Sequence, residues 1–90
     1  MSDVKKAVEE LDGWELDGER IRKNFKFNHY LDGLDFVKKV GVYAEGAQHH
    51  PGISIAYTTV KISWITFSKK ALTEKDITAA KACDNLYKLF

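Results

Sequence analysis

The residues best suited to chemistry stand together in the segment EGAQHHP, at positions 45–51. His49 and His50 can change charge near neutral pH, so either imidazole could act as an acid, a base or a metal ligand. Glu45 stands four residues before His49, and this spacing places their side chains on one face of a helix. Consecutive residues do not share a face, so we expect His49 and His50 to line different walls of one cleft.

The residue types alone leave three interpretations of this segment open. The histidines could cap the end of a helix, where cationic side chains are favoured beside the last carbonyl groups. They could form a two-histidine, one-carboxylate metal site with Glu45. The diverging directions of the two histidine side chains and the shortage of other ligand types argue against a metal. They could also bind a ligand, or transfer protons to and from a substrate.

The composition is that of one small globular domain covering residues 1–90. Lys and Arg number 14 and Asp and Glu number 13, and this near balance argues against a nucleic-acid partner. No apolar stretch is long enough to cross a membrane, and the start of the chain lacks the apolar middle of a signal peptide. Cys83 is the only cysteine and cannot form an internal disulfide, so we expect a cytoplasmic protein.

Hydrophobic periodicity predicts helices and hairpins in the order α-β-β-α-β-β-α. The predicted helices cover positions 3–11, positions 29–48 with Asn28 as N-cap, and the residues that follow the capping box Thr73-Glu74-Lys75-Asp76. The predicted strands cover positions 14–16, 21–27, 53–58 and 60–67. Two hairpins separated by a helix predict an α+β fold, a four-stranded antiparallel sheet with three helices packed on one face.

Two of these elements carry further expectations. Alternation along the last strand places Phe67 on one face and the residues of the opposite row on the other: Val60, Ile62, Trp64 and Thr66. The long second helix has an apolar arc that is broader than one sheet requires. Part of that arc is therefore expected to face another subunit, in a homodimer or homotetramer.

The motif resembles that of the pterin-4a-carbinolamine dehydratases. The similarity rests on Glu45-x-x-x-His49-His50-Pro51, then five residues and Tyr57, with Asp76 nineteen residues further on. It extends over nearly the whole chain and includes Gly13-Trp14 and Leu72-Thr73-x-x-Asp76. The resemblance implies dehydration of a 4a-hydroxytetrahydropterin, the 4a-carbinolamine, to a quinonoid dihydropterin, with a pterin substrate and no metal or cofactor.

The resemblance also implies roles for individual residues. His49 would be the principal acid–base group, while His50 and Glu45 would hold the pterin ring. Asp76 would line the pocket or orient a histidine. The implied catalytic set is thus His49, His50 and Asp76, and the implied substrate-binding set is Glu45, Gln48, Tyr57, Thr66 and Phe67.

One position departs from the family pattern. Relatives usually carry a second catalytic histidine, or a tryptophan, ten residues after the position of Tyr57, and here that residue is Phe67. A phenyl ring transfers no proton, so two alternatives to the dehydratase stay open. One is a pterin-binding or molybdopterin-related salvage protein with weak or no dehydratase activity. The other is an interaction module, because animal relatives also act as dimerisation cofactors of a transcription factor.

Overall fold

The computed structural model describes residues 2–90, which form four strands and three helices in the predicted order. The strands are β1 (Glu15–Asp17), β2 (Arg20–Lys26), β3 (Gly52–Ala56) and β4 (Thr59–Trp64). The helices are α1 (Ser2–Glu9), α2 (Tyr30–Ala47) and α3 (Glu74–Tyr87). The strands pair antiparallel in the spatial order β1-β2-β4-β3, which confirms the α+β class.

The core lies on one face of this sheet. Ile21 of β2 pairs with Trp64 of β4, and Phe25 of β2 pairs with Val60 of β4, so their side chains leave the sheet on the same side. All four are buried, and they form one cluster with buried residues of the three helices: Val4, Val8, Phe36, Val40, Ala44, Ile77, Ala79, Ala80 and Cys83. Within residues 2–90 no helix is long and apolar enough to cross a membrane.

The start of α2 differs from the expectation, because His29 and not Asn28 occupies the N-cap position. The carbonyl of His29 accepts hydrogen bonds from the backbone N–H groups of Asp32 and Gly33, which close the first turn. Asn28 is too early because the backbone N–H of Phe27 still donates to Thr58, which keeps the chain extended alongside the sheet. A tertiary hydrogen bond therefore sets the start of the helix.

The last hairpin also differs from the expectation. The inward row at positions 60, 62, 64 and 66 is confirmed, but β4 ends at Trp64 and not at Phe67. Trp64 pairs with Ile21 near the beginning of β2, so later residues have little of β2 left to pair with. The chain folds back instead, and Thr66 bridges to Ala71.

Tyr57 was expected in the third strand, but β3 ends at Ala56. Tyr57 has a φ of 52° and lies in the tight turn that joins β3 to β4. A residue in this left-handed region cannot continue the extended backbone of a strand. Its ring projects into solvent and is 77% exposed.

Candidate functional site

The end of α2 positions the two histidines. Gln48 follows the last helical residue with a left-handed backbone, at φ 54° and ψ 43°. The backbone N–H of His49 then donates to the carbonyl of Ala44 at 3.1 Å, and that of Gln48 donates to Glu45 at 3.3 Å. These bonds satisfy carbonyl groups that the helix end would leave without partners. The reversal directs His49 into the protein and leaves His50 at the surface.

His49 makes the central contact of the site. Its side chain is 9% exposed, and Nε2 lies 2.7 Å from Oδ1 of Asp76, which has no exposed surface. The imidazole also stacks on the indole of Trp64, with ring centroids 5.1 Å apart and 23° between the planes. The end of α2, the end of β4 and the first turn of α3 therefore meet at this ring.

Asp76 is held by its second carboxylate oxygen. Oδ2 accepts a hydrogen bond from the Thr66 hydroxyl at 2.7 Å and another from the backbone N–H of Thr73 at 2.9 Å. Thr73 is the N-cap of α3 and Asp76 stands three residues later, so the predicted capping box is confirmed. Burying a carboxylate is costly unless it is hydrogen-bonded, and these donors, together with the positive end of the α3 dipole, offset that cost.

Glu45 and His50 form a separate pair at the surface. Oε2 of Glu45 lies 2.5 Å from Nε2 of His50, and both side chains are mostly exposed. The expectation that Glu45 would lie beside His49 is therefore wrong. Helical spacing ends at Ala47, and the reversal at Gln48 turns His49 away from the outer face of α2. An exposed pair of this kind contributes little to stability. It is better suited to contacting a ligand than to stabilising the fold.

The histidines line two different clefts. His49 belongs to a cleft of about 310 Å³ between α2 and α3, whose other lining residues are Tyr43, Ala47, Glu74, Lys75 and Thr78. His50 and Glu45 belong to a shallow depression of about 410 Å³ along the outer face of α2, with Lys38, Gly41 and Val42. The expectation that the two histidines face one common cleft is therefore wrong in this chain. Burial raises the pKa of the Tyr43 hydroxyl, and Cys83 adds to that shift.

The structure unites only part of the predicted site. His49, Asp76 and Thr66 form one connected cluster, and His50 with Glu45 forms another. Gln48 is exposed and its side-chain amide donates to the Glu45 carbonyl at 2.8 Å. Tyr57 and Phe67 are not among the residues that line the two clefts around the histidines. Phe67 lies in the turn after β4 with its side chain in solvent, 66% exposed.

Several residues of this site were missed by reasoning from the sequence. Trp64 was correctly placed in the core, but its stacking on His49 was not foreseen. The signal was present, because Trp64 and Thr66 belong to one inward row and Thr66 was already a site candidate. Tyr43, Lys75 and Thr78 gave no comparable signal, since their approach to His49 depends on how α2 and α3 pack.

The chain carries little that could hold a metal ion. Among the residues that the structure describes, no three His, Cys, Asp or Glu side chains gather in a suitable group. Cys83 is buried within α3, and burial raises the pKa of its thiol to about 12. Metal ligation by cysteine requires the thiolate, which this environment disfavours.

In residues 2–90, a small α+β protein carries a buried carboxylate–histidine pair beside a cleft, and this pair and cleft form its candidate ligand site. The sequence pattern of one family, described as pterin 4 alpha carbinolamine dehydratase, matches residues 1–86. The chain belongs to this family.

Two known proteins with similar sequences or structures are likewise described as pterin dehydratases. A Mycolicibacterium vanbaalenii protein, described as a candidate pterin-4-alpha-carbinolamine dehydratase, is 37% identical over 83 residues, which are 92% of this chain and 89% of that relative. A crystal structure from Brucella melitensis, described as a transcriptional coactivator/pterin dehydratase, superposes with a TM-score of 0.89 at 34% identity, covering 96% of this chain and 94% of that one.

A more distant structure shares the fold alone. It is a pterin dehydratase-like protein described as a RuBisCO assembly factor in the alpha-carboxysome. Its TM-score is 0.69 at 21% identity, covering 82% of this chain and 86% of that one.

Proposed function

We propose that this protein dehydrates a 4a-hydroxytetrahydropterin to the quinonoid dihydropterin, as a step in pterin recycling. The observation that carries the proposal is the buried Asp76–His49 pair, whose imidazole forms part of the wall of a cleft. Family membership supports a pterin as the substrate class. At about 310 Å³ the cleft is at the small end of the range for ligand pockets, which suits a bicyclic ring.

The chemistry requires one proton to be given and one to be taken. The bond between C4a and oxygen breaks with its electron pair on oxygen, and the departing hydroxide takes up a proton to become water. The adjacent ring nitrogen loses its proton as the carbon–nitrogen double bond forms. His49 serves both steps, first as the imidazolium that protonates the leaving group and then as the imidazole that accepts the nitrogen proton. Positioned acid–base groups contribute about 10²–10⁴-fold to such steps.

The Glu45–His50 pair is proposed to hold the pterin ring. A carboxylate accepts two hydrogen bonds at once, which matches adjacent N–H groups on the edge of a pterin. In this proposal the ring enters the cleft that His49 lines, and the Glu45–His50 pair contacts the edge of the substrate that extends past the end of α2. Gln48, Tyr57 and Phe67 remain proposed contacts for the periphery of the substrate.

A second candidate function is pterin binding with weak or no catalysis. Phe67 stands where relatives usually carry a second catalytic histidine, and its ring offers no nitrogen for proton transfer. The fold alone does not decide between these functions, since a fold can support unrelated activities. The RuBisCO assembly factor with this fold illustrates the point.

The proposal extends to assembly and location. Leu31, Leu34 and Val42 are exposed apolar side chains on α2, and β1 and β3 leave free edges on the described sheet. We propose that α2 and one strand edge join copies of the chain into a homodimer or homotetramer. With one cysteine, which is buried and unpaired, we place the protein in the cytoplasm.

A stopped-flow measurement of 4a-carbinolamine decay tests the proposed activity, with a pterin-binding titration run alongside. Decay faster than the spontaneous reaction, and equally fast in EDTA, is expected for metal-free acid–base catalysis. Binding without acceleration would favour the second candidate. Neither binding nor acceleration would reject both.

A further inference from the structure

The hydrogen bonds around Asp76 have one consistent direction. The backbone N–H of Thr73 can only donate, so Oδ2 of Asp76 accepts from it. The Thr66 hydroxyl has a single proton and donates it in a hydrogen bond to the same oxygen. Thr66 Oγ1 and Thr73 Oγ1 are 2.7 Å apart, so Thr73 donates to Thr66. Thr73 Oγ1 in turn accepts from the backbone N–H of Lys75 at 3.3 Å.

This direction determines which nitrogen of His49 holds the proton. With Oδ2 occupied by two donors, Oδ1 is the carboxylate oxygen that faces His49 Nε2 at 2.7 Å. A carboxylate only accepts hydrogen bonds, so Nε2 must donate. A neutral imidazole carries one proton, and its lone pair is then on Nδ1.

We propose that Thr66 and Thr73 are positioning residues which, through Asp76, fix neutral His49 as the Nε2–H tautomer, so that Nδ1 exchanges protons with the substrate. The tautomer rests on geometry alone, whereas the role of Nδ1 in catalysis rests on the proposed function. In this proposal Thr66 supports Asp76 and does not bind the substrate, since its hydroxyl donates to Asp76 and accepts from Thr73 within the protein.

Packing around the ring supports the same assignment. Trp64 has no exposed surface and lies nearly parallel to the imidazole, so it restricts the plane of the His49 ring. Asp76 holds one nitrogen of that ring from inside the protein. Because His49 also lines the cleft between α2 and α3, Nδ1 is the polar ring atom that it can offer there.

NMR of the full chain with ¹⁵N-labelled histidine tests the tautomer, at a pH where the ring is neutral. The wild type should show a proton on Nε2 and none on Nδ1 of His49. In Asp76→Asn the N–H of Thr73 still requires an oxygen at the Oδ2 position, so the amide NH₂ group must face Nε2. Nε2 then has to accept, and the tautomer should reverse to Nδ1–H, the kind of error that disables a triad histidine. An Nδ1–H wild type, or an unreversed Asp76→Asn, would overturn the proposal.

Thr66 provides a second test that does not depend on the folding of Asp76→Asn. Thr66→Val removes one donor from Oδ2 and leaves the carboxylate freer to turn. We expect the Nε2 proton to exchange with solvent about tenfold faster, and the dehydration rate to fall by about tenfold or more. Thr66→Ser keeps the hydroxyl and should restore both values, and Thr59→Val on the outer face of β4 is the matched control. Unchanged exchange in Thr66→Val would overturn the role of Thr66.

The two proposals fail in different ways. If the wild type shows the Nε2–H tautomer but does not accelerate carbinolamine decay, the dehydratase function is rejected and the tautomer assignment stands. If the wild type accelerates decay and Asp76→Asn keeps both the tautomer and the rate, the dehydratase function stands and the positioning network is rejected.

Discussion

Nε2 of His49 lies 2.7 Å from Oδ1 of Asp76, although the two residues are 27 positions apart in the sequence. His49 follows the end of α2, and Asp76 lies in the first turn of α3. The contact joins a carboxylate with no exposed surface to an imidazole that reaches a cleft. Such a pair holds the ring in one orientation and leaves its second nitrogen for proton transfer, which is the arrangement that acid–base catalysis requires.

His49→Ala should remove most of the acceleration over the spontaneous reaction. The loss should reach about 10²–10⁴-fold in kcat, because the variant lacks the acid–base group. Stopped-flow decay of the 4a-carbinolamine measures it, and His29→Ala at the exposed start of α2 is the matched histidine control. An unaffected rate in His49→Ala would reject the catalytic assignment.

His50→Ala should act on substrate binding more than on the chemical step. His50 contacts Glu45 at the surface and is proposed to hold the ring, so KM should rise while kcat changes little. Stability should change by less than about 0.5 kcal/mol, since the side chain is mostly exposed. A drop in kcat as large as that of His49→Ala would contradict this division of roles.

Phe67→His should raise the turnover rate, because it supplies a second proton-transfer group at the position where relatives carry one. The gain should be partial, since a catalytic histidine works only when its orienting partners are present. The melting temperature should be nearly unchanged, because Phe67 is 66% exposed and an imidazole there is not buried. Phe67→Leu is the control without a titratable group. A fall in melting temperature equal to that of a core variant would contradict the exposed placement.

Cys83 should make the fold less stable at high pH. Burial raises the pKa of its thiol from 9.0 to about 12. The folded state therefore keeps the thiol protonated above pH 9, where the unfolded state begins to lose the proton. This contribution to stability is complete below pH 9 and is lost as the pH rises toward 12. Denaturant unfolding of wild type and Cys83→Ala at pH 8, 9 and 10 should show a steeper decline for the wild type.

Light scattering at micromolar concentration should give the mass of a dimer or a tetramer. Leu31→Glu on the exposed face of α2 should weaken the association, because it places a charge in the proposed apolar contact. Lys88→Glu, at the exposed end of α3, is a charge-changing control on another surface. A wild-type mass of a stable monomer would refute the proposed assembly.

Local patterns in the sequence were sufficient for the element order and for part of the site. The capping box at Thr73 and Asp76 was predictable because its bonds join residues no more than three apart. The inward row that ends at Thr66 was predictable because side chains alternate along an extended chain. The motif at positions 45–51 marked the segment that carries both histidines of the proposed site, since all its members are close in sequence.

Only the tertiary structure decided which partner each site residue has. Glu45 meets His50 and not His49 because a left-handed residue ends helical spacing at Gln48. His49 meets Asp76 and Trp64 because α2, α3 and β4 converge on one point of the core. The short length of β4 likewise follows from where β2 begins. Each of these outcomes depends on residues far apart in sequence, and periodicity and spacing report only on near neighbours.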